Sequence, residues 1–153
     1  LHVVLDADAL WFLAENPQQM NDKVFLTPHP GEAAKLLNCQ VADVENDRIK
    51  AIHSLKEKYS GQWLLKGSGS LILENNELWI CTAGNAGMGT GGMGDILSGL
   101  AASLKAQFDE EIMLHDIVTL HAIAGDELAK DGMRGLQAFE MSKAIYKVIN
   151  NKK

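Results

Sequence analysis

Six glycines, Gly84, Gly87, Gly89, Gly91, Gly92 and Gly94, fall within the twelve residues from Ala83 to Gly94, and the carboxylate of Asp95 follows at once. Glycine removes the Cβ that holds a ligand away from the backbone, and it admits positive φ. Where such a stretch opens a helix, consecutive amides and the helix dipole form a cradle for an anion. The amides of Gly91, Gly92, Met93 and Gly94 stand at that place, and a phosphate is the ligand that fits. Asp95 beside them has two compatible readings. As a first-turn or capping carboxylate it would stabilise the helix by about 0.5–2 kcal/mol. As a general base it would take the proton from a substrate hydroxyl while the cradle stabilises a transferred phosphoryl group. The second is the role expected of it.

Two further strings carry chemistry. Lys66-Gly67-Ser68-Gly69-Ser70 follows the apolar run Trp63 to Leu65 and offers a local cation with small hydroxylated neighbours. Ligands of open α/β sheets collect at such carboxyl ends of strands. Thr27-Pro28-His29-Pro30-Gly31-Glu32 holds the equivalent place after Val24 to Leu26, and its prolines restrict the backbone so that His29 is presented in a defined direction for a ligand. The glycine stretch contains two overlapping GxGxxG strings, but neither sits in the βαβ unit that a dinucleotide fold requires. There is no GxxxxGK[ST] string. Asp6 and Asp8 stand at another strand end without a third ligand at useful spacing, so no metal ligand set is assigned.

These strings need elements to hold them. His2 to Leu5 and Val24 to Leu26 are short strands, each leading into a helix, Ala9 to Glu15 and Ala33 to Leu37 respectively. Asp43 to Tyr59 has apolar positions at helical spacing and should lie on a sheet face. Trp63 to Lys66 is its partner strand, and Leu71 to Leu73 with Leu78 to Ile80 flank Asn75-Asn76 as a hairpin. Beyond the glycines three helices follow, Ile96 to Ala106, Ile112 to about Asp131, and Ala138 to Asn150. The stripe Leu114, Ile117, His121, Ala124 and Leu128 makes His121 a core histidine, and the Met residues, Met88 and Met93 included, are packing residues. The architecture expected is one α/β domain over 1–153, a three-layer sandwich with a largely parallel sheet, a hairpin at one side and a helical C-terminal half.

Composition narrows the partners. The 153 residues are 46% hydrophobic and 22% charged, with a formal charge of −6. No basic block stands out beyond the terminal Lys152 and Lys153, so nucleic acid and anionic membranes are poor partners and any phosphate is held locally. Cys39 and Cys81 form no CxxC pair and no disulfide framework, which fits a reducing cytoplasm. No run of eighteen apolar residues suggests a membrane span.

TPHPGE at Thr27 to Glu32, KGSGS at Lys66 to Ser70 and NAGMGTGGMGD at Asn85 to Asp95 together resemble the ADP- or ATP-dependent NAD(P)H-hydrate dehydratases of the ribokinase-like superfamily. VLDADAL at Val4 to Leu10 and HAIAGD at His121 to Asp126 also look like that family, and the resemblance is to its C-terminal half. It implies repair of the S epimer of hydrated NADH or NADPH. A nucleotide, ADP or ATP with Mg²⁺, phosphorylates the hydroxyl, which then leaves as phosphate. By the same resemblance His29 and Asp95 contact the hydrated dinucleotide, and Lys66, Gly67, Ser68, Gly69, Ser70 and Gly94 contact the nucleotide. A homo-oligomer is expected. Ala86 stands where the family often has proline, Gly89 where alanine is common, and Ser70 replaces a frequent threonine. Two alternatives share the cradle: a ribokinase-like kinase of a small molecule, and an inactive nucleotide-binding fragment.

Overall fold

Val3, Val4 and Leu5 pair in parallel with Val24, Phe25 and Leu26, and this ladder seeds a five-stranded sheet. A computed structural model describes residues 1–150. They group into two compact units, Leu1–Ile80 and the described residues from Cys81 onward.

The first unit runs β1 (Val3–Leu5), α1 (Asp8–Glu15), β2 (Met20–Leu26), α2 (Pro30–Leu37), α3 (Val41–Asn46), α4 (Arg48–Tyr59), β3 (Ser60–Leu65), β4 (Leu71–Glu74) and β5 (Glu77–Ile80). The strands lie in chain order, parallel from β1 to β3 and antiparallel through β4 and β5. The mixed character at the hairpin end was expected, and its turn is built as the sequence suggests. Asn75 and Asn76 both take positive φ, 51° and 65°, as the tight turn that matches strand twist demands.

One sheet face turns Val24, Leu26, Trp63, Leu65, Leu71 and Leu73 onto Leu10, Leu13, Ala33, Leu36, Ile52, Leu55 and Tyr59 of the helices. The alternate residues Phe25, Leu64 and Ile72 point the other way and are buried too. Burial on both faces explains why these strands read as continuous apolar runs rather than as an alternation.

Several boundaries differ from expectation for local reasons. β2 begins at Met20, earlier than its apolar run, with a register shift between Met20 and Phe25 where the exposed Asn21, Asp22 and Lys23 pass. α2 begins at Pro30 because His29 caps it. The single helix expected over Asp43 to Tyr59 is two. Asp47, at φ −146° and ψ 78°, ends α3 and caps α4 by accepting the Lys50 N–H at 2.9 Å. That break puts Arg48 at the first position of α4.

The second unit holds a 3₁₀ turn at Ala86–Gly89 and then α5 (Met93–Phe108), α6 (Leu114–Leu128) and α7 (Met141–Asn150). α5 starts three residues before the expected Ile96, inside the glycine stretch. Met93, Ala124, Leu136, Met141 and Ala144 form its core, with Met88 and Ile96 packed against them. Both loop methionines are therefore packing residues, as expected, and His121 is buried in the α6 stripe. Among the described residues no helix is long and apolar enough to cross a membrane.

Candidate functional site

The carboxyl ends of β1, β2 and β3 lie side by side because the ladder continues beyond the strands. The Thr27 N–H donates to the Leu5 carbonyl at 3.1 Å, and the Lys66 N–H to the Pro28 carbonyl at 2.9 Å. Three loops are thereby held together. Lys66 Nζ lies 2.8 Å from Asp6 Oδ1 and 3.9 Å from Glu32 Oε2. The expected local cation is present, but it is already balanced by carboxylates, so a phosphate at this loop meets an ion pair rather than a bare ammonium.

His29 is fixed by a capping box. Its Nδ1 accepts the N–H groups of Gly31 and Glu32 at 3.0 and 3.3 Å, and Glu32 Oε2 accepts the His29 N–H at 2.7 Å. With Nδ1 accepting, the proton of the neutral ring sits on Nε2. The side chain is 55% exposed, and Nε2 lies 3.6 Å from Glu32 Oε1, beyond hydrogen-bond length. The backbone thus directs a donor edge at solvent.

The Gly67 to Ser70 turn places Gly67 and Gly69 at φ 147° and 65°, which side chains rarely adopt. Ser70 Oγ donates to the Gly67 carbonyl at 3.1 Å. Arg48 grips the turn, with Nη1 donating to the Ser68 and Gly69 carbonyls at 2.6 and 3.1 Å and Nη2 to those of Leu65 and Lys66 at 3.2 and 3.3 Å. His29 and Lys66 to Ser70 are therefore gathered at neighbouring strand ends, as their spacing suggested.

In the second unit, Gly92 at φ 88° is the N-cap of α5, and Asp95 is its third residue. Asp95 is exposed and makes no capping hydrogen bond. The capping reading of its carboxylate therefore falls away, while a first-turn charge near the positive end of the helix remains favourable. Of the cradle amides, that of Met93 turns to the Thr90 carbonyl at 3.3 Å. Those of Gly91, Gly92 and Gly94 make no backbone hydrogen bond among the described residues. A Cβ built on Gly89 or Gly91 would meet nothing within 4 Å, and neither glycine has positive φ. No contact within the described residues demands glycine at these two positions.

Three supporting residues were not singled out by sequence. Glu32 flanks Lys66, Arg48 holds the Gly67 to Ser70 turn, and Asp126 on α6 accepts from Gly84 and Asn85 at 2.9 Å each. None carried a local signal, since Arg48 stands at a helix start only because the expected single helix breaks at Asp47. Among the described residues no cluster of three metal-binding side chains exists.

A mixed sheet with glycine-bearing loops at its strand ends, and a glycine stretch opening a helix, define a protein of ribokinase-like fold. The fold is shared with a ribokinase-like superfamily protein of Enterococcus faecalis (TM-score 0.79, 28% identity, 96% of this chain and 50% of that one). It is shared also with the ADP/ATP-dependent NAD(P)H-hydrate dehydratase of Bacillus subtilis, co-crystallised with ATP/Mg²⁺ (TM-score 0.84, 26% identity, 97% and 55%). The model of the NAD(P)H-hydrate dehydratase family matches residues 1–147, and the chain belongs to that family. It is 44% identical over 152 residues to the bifunctional NAD(P)H-hydrate repair enzyme of Vibrio cholerae, matching over 96% of this chain and 30% of that protein. It is 40% identical over 111 residues to the ADP-dependent (S)-NAD(P)H-hydrate dehydratase of Neisseria meningitidis, over 69% and 38%. The chain thus spans about a third of the length of these curated relatives.

Proposed function

We propose that the chain carries the nucleotide-dependent dehydration of the S epimer of hydrated NADH or NADPH. The observation that carries this reading is Asp95, exposed on the first turn of α5, at the end of a glycine stretch in which Gly89 and Gly91 leave open space. Asp95 takes the proton of the substrate hydroxyl as its oxygen forms a bond to the terminal phosphorus of ADP or ATP and the bond to the shorter nucleotide breaks. The C–O bond then breaks, phosphate leaves with its electron pair, and loss of a ring proton restores the dihydronicotinamide. The amides at Gly91 to Gly94 stabilise the transferred group.

His29 Nε2–H orients the hydrated dinucleotide, and Lys66, Gly67, Ser68, Gly69, Ser70 and Gly94 bind the nucleotide. Mg²⁺ would neutralise phosphate charge. Mg²⁺ characteristically arrives on substrate phosphates with few protein ligands. The enzyme is read as cytoplasmic, in keeping with its free Cys39 and Cys81, and as self-associating, supported by exposed Val3 on β1 and Trp79 and Ile80 on β5. A monodisperse monomer in sedimentation would remove the latter.

The test is recovery of NADPH absorbance from freshly hydrated NADPH with Mg²⁺ and either nucleotide, in the wild type and in Asp95→Asn. Nucleotide-dependent recovery that the variant loses by at least a hundredfold, in line with a general base, supports the reading. Phosphorylation of an alcohol without elimination would identify a kinase instead. Nucleotide binding without turnover would identify a fragment.

A further inference from the structure

Arg48 stands where electrostatics alone would not put it. It is the first residue of α4, directly after the cap Asp47, and a cation at a helix N-terminus opposes the macrodipole by about 0.3–1 kcal/mol. Its guanidinium nonetheless reaches four backbone carbonyls of one short turn, those of Leu65, Lys66, Ser68 and Gly69.

The geometry of the peptide unit turns this grip into a statement about donors. In a trans peptide the C=O and the N–H of the next residue point in opposite directions, and the described residues contain no cis bond. Holding the Leu65, Lys66, Ser68 and Gly69 carbonyls therefore aims the amides of Lys66, Gly67, Gly69 and Ser70 away from Arg48. The first of these behaves accordingly, donating to the Pro28 carbonyl. The amide of Ser70 closes the turn onto the Gly67 carbonyl, whereas those of Gly67 and Gly69 make no backbone hydrogen bond among the described residues. A run of amides on one side of a turn is an anion-binding concavity. Gly67 belongs to the same device, since a Cβ on it would lie 2.8 Å from Arg48 Nη2.

We propose that Arg48 is a positioning residue of the nucleotide site. By drawing the carbonyls of the turn onto its guanidinium, it presents the Gly67 and Gly69 amides to a phosphate of a nucleoside di- or triphosphate. The assignment rests on the functional reading above. Lysine cannot replace it, because an ammonium lacks the planar fork of five donors that serves several carbonyls at once.

The test uses the full chain as R48K and R48M, with backbone order parameters from ¹⁵N relaxation and calorimetric titrations of ADP and of hydrated NADPH. In wild type the turn should show order parameters near those of rigid backbone, about 0.85, and in both variants Gly67 to Ser70 should fall below about 0.6 while β3 and β4 stay rigid. ADP affinity should drop at least tenfold in both, with affinity for hydrated NADPH unchanged. R48K binding ADP as wild type does would overturn the assignment, because charge rather than the fork would then suffice. An equally ordered turn in R48M, or an equal loss for both ligands, would overturn it as well. A wild-type chain that binds no ADP would instead overturn the functional reading and this assignment with it.

Discussion

Asp126 on α6 holds Asn85 at the entry to the glycine stretch: its Oδ1 accepts Asn85 Nδ2 at 2.9 Å while its Oδ2 accepts the Gly84 N–H, also at 2.9 Å. Asn85 in turn uses its Oδ1 to accept the Gly87 N–H at 3.0 Å. The amide is therefore oriented at both ends, its NH₂ serving as the donor to Asp126 and its oxygen as the acceptor for Gly87. A rigid helix thus sets the path of the loop that leads to the cradle.

Asp126→Ala removes both acceptors and leaves the Gly84 and Asn85 donors without this carboxylate. Hydrogen bonds to charged groups contribute about 1.5–3 kcal/mol, and denaturant unfolding should show a loss in that range. Asn85→Asp, which sets two carboxylates face to face, should destabilise at least as much at neutral pH. A variant as stable as wild type would show that the contact is incidental.

Gly125, the neighbour of Asp126, holds the same loop by shape. A Cβ on it would come within 2.6 Å of Met88 Cε and 2.8 Å of Met88 Cγ. Gly125→Ala should therefore expel Met88 from its place against the second unit's core and destabilise by about 1–3 kcal/mol. Met88→Ala combined with Gly125→Ala should recover part of that loss, and a double-mutant cycle should show coupling of about 1 kcal/mol. Additive effects would mean that Met88 already has another place to go.

The strands, the hairpin and the loop positions of the three strings were legible because each depends on local properties. Examples are β-branched runs, Asn75-Asn76 at positive φ, and glycines before a helix. The α3/α4 break at the cap Asp47 was missed because the apolar spacing persists across it. Periodicity says which face is apolar, not whether the helix is continuous. The partners of Lys66 were harder to read. Asp6 and Glu32 reach it only because β1, β2 and β3 are parallel neighbours, and pairing order is a long-range property with no local signature. Arg48 and Asp126 act on backbone groups of loops at a distance in sequence, which no spacing rule reveals.

Lys66 and Asp6 should be coupled in stability. Their 2.8 Å pair is mostly buried, at 20% and 13% side-chain exposure. Removing one partner of such a pair strands the other charge. Lys66→Met should cost about 1–3 kcal/mol, below the fully buried limit because water still reaches the pair. Asp6→Asn added to Lys66→Met should recover much of it. A double variant no more stable than Lys66→Met would place the cost in lost packing of the lysine stem instead.

His121 gives the second unit a pH dependence of definite sign. Burial lowers its pKa from 6.5 to about 4, partly opposed by a hydrogen bond to the Met93 backbone. Nε2 finds no hydrogen-bond partner among the described residues. The folded state therefore holds the ring neutral where the unfolded chain would protonate it. Above pH 6.5 neither state takes up the proton and the group adds no slope. Between pH 6.5 and 4 only the unfolded state binds it, so stability falls as pH falls, by about 2 kcal/mol at pH 5 and about 3 kcal/mol once the folded pKa is passed. His121→Gln keeps a donor of similar reach and cannot titrate. The difference in unfolding free energy between wild type and His121→Gln, followed from pH 8 to 4, should change by that amount in that window, with wild type losing ground at low pH. Because Met93 opens α5 just before Asp95, protonation would disturb the helix start that carries the cradle. A difference independent of pH would mean that the ring is solvated in the folded state.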